Sequence, residues 1–173
     1  MKKGLALIVL AIMAGLLSGS WGCRDSNTHV SLEFEFNFIF KYGVTGRNIL
    51  DTYQGTFTKD MVTAPGITTD LTLTVEEMDS IYLKMVEIDF FHYPEEFKVI
   101  VPEGELTGTV TPYSSYYFEV EYGPDIKILA WEDEITNPDA KADRLRELIN
   151  LIIGIIESKA EYQALPEPSG GYL

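Results

Sequence analysis

The stretch VSLEFEFNFIFKY, residues 30–42, decides how the chain is read. Its even positions, Val30, Leu32, Phe34, Phe36, Phe38, Phe40 and Tyr42, are all apolar or aromatic, and its odd positions are polar except Ile39. A strict period of two means a β-strand with one buried and one wet face. At about 3.3 Å per residue it runs roughly 40 Å. A row of aromatic rings on one face demands a covering layer.

Gly43-Val44-Thr45-Gly46 ends the strand as a turn. Pairing Tyr42 with Arg47 gives a hairpin of 30–42 with 47–59. Phe40 then faces Ile49, Phe36 faces Tyr53, and Leu32 faces Phe57. Asp51 is the misfit, opposite Phe38 on the apolar face. Burying an unpaired carboxylate is costly, so a local bulge that turns it outward is expected.

Residues 59–69 read as a loop around Pro65-Gly66, and 70–74 as a short strand. Thr74-Val75-Glu76-Glu77 fits a capping box. Met78, Ile81, Tyr82, Met85 and Ile88 follow at helical spacing, which predicts a helix over 75–89 with its methionines in the core. Residues 90–96 are a non-helical exit broken by Pro94, 97–101 a short strand, and 104–112 a loop or edge strand. A second hairpin joins 115–122 to 126–131 across Gly123-Pro124-Asp125. Pairing Tyr122 with Ile126 puts Phe118 and Val120 on an apolar face with Ala130 and Ile128. Tyr117, Leu129 and Trp131 then fall on the opposite face among charges. These three are the candidate partner surface, since exposed aromatics mark protein or glycan contacts. The competing reading is that the 97–112 segment covers them.

Asn137-Pro138-Asp139 starts a second helix, 139–161, with Leu145, Leu148, Ile149, Ile152, Ile155 and Ile156 on one face. The expected fold class is α+β: an antiparallel sheet built from two hairpins with two helices packed on one face, a two-layer sandwich. This single domain spans 30–162. An irregular Pro/Gly tail, 163–173, follows, and its Leu165-Pro166 falls short of the LPxTG wall-sorting pattern for want of the Thr.

A chain of 173 residues is long enough for one domain with a real core. Its 27 Asp and Glu against 13 Lys and Arg give a net charge of −14. Nucleic acid, which needs a basic footprint, is thereby excluded as a partner. The balance favours solubility, a cationic partner or weak divalent-cation binding. Glu132-Asp133-Glu134 and Asp139 lack EF-hand spacing and read as a solvated acidic loop. The two histidines, His29 and His92, stand far apart, so no His-rich metal site is expected. G-x-S-x-G, P-loop, G-x-G-x-x-G and H-E-x-x-H are all missing. No catalytic residue, metal or cofactor is assigned. A carboxylate-based hydrolase is the alternative, because such chemistry needs only two acids across a cleft. A structural or assembly factor is a third reading.

Residues 1–22 have the layout of a signal peptide. Met1-Lys2-Lys3 is basic, no charge occurs from Gly4 to Cys23, and 5–17 is apolar. The Gly22-Cys23 ending resembles the lipobox of bacterial lipoproteins. It departs at Ser20, where Leu is usual, and at Trp21, where a small residue is usual. The resemblance implies cleavage before Cys23, lipid attachment at its thiol with acyl chains such as palmitate, and a polar tether over 23–29. It places the chain at the cell membrane, facing outside the cytoplasm. Two other readings stay open: a retained membrane anchor, although 5–17 is shorter than the ~20 residues of a span, and ordinary cleavage that frees the protein. With a single cysteine, no intramolecular disulfide forms.

Leu73-Thr74-Val75-Glu76-Glu77, Phe90 to Pro94 and Ser115 to Trp131 together resemble small exported bacterial lipoproteins of an uncharacterised family. The resemblance implies a hairpin, a capped helix with an aromatic-proline exit, a second hairpin and a closing helix. It implies no activity. The expectation is a membrane-anchored, non-enzymatic domain of the cell envelope that binds an envelope protein or glycan.

Overall fold

A computed structural model of the chain describes residues 35–172. The expectations for the signal segment, Cys23, the tether and the first residues of the long strand fall outside them. The domain is α+β, with seven strands in one open, mostly antiparallel sheet and three helices. The strands are β1 (Phe36–Tyr42), β2 (Asn48–Asp51), β3 (Thr56–Met61), β4 (Ala64–Asp70), β5 (Glu96–Phe97), β6 (Ser115–Tyr122) and β7 (Asp125–Glu132). The helices are α1 (Val75–Glu87), α2 (Ala140–Ser158) and the short α3 (Ala160–Gln163). Spatial order is β4-β3-β2-β1-β6-β7-β5, and only β5 runs parallel to its neighbour.

The period of two holds along β1. Phe36, Phe38, Phe40 and Tyr42 are buried and the residues between them are half-buried. β1 lies in the middle of the sheet, paired with β2 and β6. Its rings join one core with Ile81, Met85 and Ile88, and with Leu145, Leu148, Ile149, Ile152 and Ile156 of α2. The capping box is present: Glu77 N donates to Thr74 Oγ1 at 3.3 Å and Thr74 N to Glu77 Oε2 at 2.7 Å. Asp139 caps α2 by accepting from the amides of Lys141 and Ala142 at 2.8 and 2.9 Å. Lys84 bridges the helices through Glu147 at 2.7 Å, which holds the Glu147 carboxyl below its ordinary range.

Both hairpins differ from expectation by one residue. Tyr42 pairs with Asn48, so Leu50 rather than Ile49 faces Phe40. Asp51 lies opposite Ile39 on the outer face, where it accepts from Gln54 N at 3.0 Å, and no bulge is needed. The strand stops there. Thr52 Oγ1 takes the Phe38 amide at 2.7 Å, the chain turns through Gly55 (φ +63°), and it returns as β3. Residues 59–69 are therefore not a loop but most of a β3–β4 hairpin, and 71–74 carry no strand. In the second hairpin Tyr122 pairs with Asp125 across Gly123-Pro124, which sets Phe118 opposite Leu129 and Tyr116 opposite Trp131. The returning strands are apolar on both faces, so alternation alone leaves their register open and turn length decides it.

The tail is irregular but engaged. Ser169 bridges to Val62 at the tip of β3–β4, and its hydroxyl lies 2.8 Å from Thr63 Oγ1. The Tyr172 hydroxyl donates to the Asp60 carboxylate and lies 3.1 Å from Thr45 Oγ1.

Candidate binding cleft

The one-residue shift separates the expected partner surface. Leu129 (0% exposed) and Trp131 (3%) belong to the core rather than to the outer face, and Tyr117 alone stays outside. There Tyr117 donates to Glu119 at 2.9 Å and receives Lys41 over its ring at 5.1 Å. Burial, and then Glu119, push its hydroxyl pKa up. Next to it on this face stand Ile126 and Ile128, both exposed. Tyr53 stands on the β2–β3 turn, where partial burial and a hydrogen bond to Glu121 raise its pKa to about 12.

A concavity lies at the β5–β7 edge, a cleft of about 450 Å³. Local backbone builds it. Ala130 N donates to Glu95 O at 2.7 Å, which starts the parallel pairing of Glu96 with Ala130 and Phe97 with Trp131. Beyond β5 the chain swings out through 98–112 and is pinned back. Asn137 accepts from Gly108 N at 2.8 Å and donates to Leu106 O at 3.0 Å, while Val110 N reaches Glu134 O at 2.9 Å. Gly108 fits closely here: a Cβ would stand 2.4 Å from Thr136 Oγ1 and force that hydroxyl to move.

Trp131 forms part of the cleft floor. Phe97 and Tyr116 hold it at 5.4 and 5.5 Å, and the Arg146 guanidinium lies 5.2 Å over the ring. Burial raises the Tyr116 pKa, so its ring stays neutral. Arg146 is already neutralised: its Nε and Nη2 donate to Asp133 at 3.0 and 2.6 Å, and Nη1 to Asp143 at 2.8 Å. That pairing raises the Arg146 pKa. The glutamates that line the cleft have no such cation. Glu132 and Glu134 form no ion pair among the described residues, and Glu96 meets Lys98 only at 3.6 Å with both side chains exposed. Val99 and Ile135 add apolar wall.

The result is an acidic rim over an aromatic and aliphatic floor. Among the described residues no serine, threonine, cysteine or histidine lines it. His92 is elsewhere, exposed and 2.6 Å from Asp89. Among the described residues no group of three His, Cys, Asp or Glu is placed to hold a metal ion, and no helix is long and apolar enough to cross a membrane. Compared with known proteins, the chain matches no family model and no curated protein. In the sequence the cleft shows only as the acidic run Glu132-Asp133-Glu134 after a strand, which reads equally well as solvated loop. The parallel strand that makes it a cleft is two residues long and leaves no periodic signal.

Proposed function

We propose that the chain is a lipid-anchored, non-enzymatic binding domain of the cell envelope, a two-layer α+β sandwich whose edge cleft takes a basic, partly apolar segment of a partner protein. The observation that carries this reading is the pair of unneutralised carboxylates, Glu132 and Glu134, above the Trp131 floor. Lysines or arginines of a partner would meet those carboxylates while its apolar side chains cover Val99 and Ile135. Ile100, Leu106 and Val110 extend the apolar surface along the neighbouring loop, at 85, 94 and 43% exposure. The net charge of −14 steers such a partner in. The anchor rests on the sole cysteine following Gly22 at the end of an uncharged apolar run.

A peptide of alternating Lys and Leu, titrated into the full chain in non-ionic detergent, tests the cleft by tryptophan fluorescence. Binding should weaken about tenfold in the Glu132→Gln/Glu134→Gln variant and fall steeply with salt. Equal binding by the variant, or by an alternating Glu and Leu peptide, would remove the reading. The hydrolase and assembly-factor readings predict no such charge dependence. Mass spectrometry of the membrane-extracted protein tests the anchor separately, and an unmodified Cys23 thiol would remove it.

A further inference from the structure

A second cleft, of about 420 Å³, opens on the outer face of the sheet over β2, β3 and β4. Its charge is opposite to that of the first. Arg47 is exposed and forms no ion pair or hydrogen bond among the described residues. Lys41, the other cation, rests on the Tyr117 ring and forms no ion pair there either. One carboxylate, Asp60, lines the same cleft, yet it neutralises neither cation. It is 7% exposed; its Oδ1 accepts Val62 N at 3.0 Å and its Oδ2 takes the Tyr172 hydroxyl. Ile49, Ala64 and Pro65 supply an apolar wall. Gly66 fits closely against that wall, where a Cβ would stand 3.1 Å from Thr58 Cγ2 and 3.2 Å from the Lys59 carbonyl.

We propose that this cleft binds a small monoanionic carboxylate with an apolar body, its carboxylate held by Arg47 and Lys41 and its body against Ile49 and Pro65. Two cations less one committed carboxylate leave a single positive charge, which matches a monoanion. A phosphate dianion would carry excess charge beside Asp60 in a strongly acidic chain. Arginine pairs with carboxylates through two parallel N–H donors, and its side chain here is free to do so. Tyr172 is a positioning residue. By occupying Asp60, it keeps that carboxylate from closing on Arg47.

The test is a saturation-transfer titration of the full chain in non-ionic detergent with benzoate, with benzylamine and inorganic phosphate as comparison probes. Benzoate should bind in the millimolar range and better than either comparison probe. Arg47→Gln, at an exposed side chain that holds nothing else, should weaken it at least fivefold with the circular dichroism spectrum unchanged. Tyr172→Phe should weaken it severalfold, and the further change Asp60→Asn should restore it. The proposal is overturned if benzoate gives no signal, if Arg47→Gln binds it equally well, or if phosphate binds more tightly.

Discussion

At the β7 end of the sheet, rings close the structure: Trp131 is packed between Phe97 and Tyr116 under Arg146, and Phe97 in turn lies 5.3 Å from Tyr93. At the β3–β4 end, polar groups close it. Lys59 and Asp60 are buried there, the first with its ammonium 4.7 Å over the Tyr162 ring, the second hydrogen-bonded to Tyr172. Burial of rings is non-directional. The other end depends on a few directed bonds to a tail carrying two prolines and two glycines. The first end should open only when the whole domain unfolds, whereas the second should open locally and earlier.

Trp131→Ala carries the largest expected effect, a loss of about 3–5 kcal/mol in urea unfolding, because it removes a buried ring held between Phe97 and Tyr116. A loss under ~1 kcal/mol would mean that the ring is not held as described. Next comes Asp60→Ala, which strands the Val62 amide, leaves the Tyr172 hydroxyl with Thr45 alone and should cost about 1–3 kcal/mol. Its signature is local: amide exchange should speed up at the β3–β4 tip and the tail but not along β7. Uniform acceleration would abolish the distinction between the two ends. Thr74→Ala, which touches neither end, should cost about 1 kcal/mol and destabilise both alike. The smallest change has the opposite sign. Val62 is held at φ +61° in a tight turn where Thr63 N donates to Met61 O at 2.8 Å. A β-branched residue pays for that conformation, and Val62→Gly should stabilise by about 0.5–1 kcal/mol, read as a raised thermal midpoint.

Residues whose signal is local were legible in the sequence. Thr74 and Glu77 specify their cap within four positions, and Phe36 to Tyr42 specify their buried face by alternation alone. Register was not legible, because Ile49 and Leu50, like Ile128 and Leu129, offer the core two equally apolar choices. Asp51 was the clue: its misfit on the apolar face disappears when the pairing moves by one residue. The same move takes Leu129 and Trp131 from the outer face to the core. The β3–β4 hairpin was hidden for another reason. Pro65-Gly66 carries the strongest turn signal in that stretch, but it lies within β4 at a register irregularity, and the true tip is Val62-Thr63. The edge cleft was least legible, since β5 joins β7 through pairing distant in sequence.

The central place of β1 bears on how the chain is made. β2 can pair with it as soon as it is synthesised, but β6 follows only after β3, β4, α1 and β5. At roughly 5–20 residues per second, the ribosome leaves one side of an aromatic strand without its neighbour for several seconds. A nascent chain in that state presents the unpaired edge of an aromatic strand, the kind of surface that holding chaperones cover.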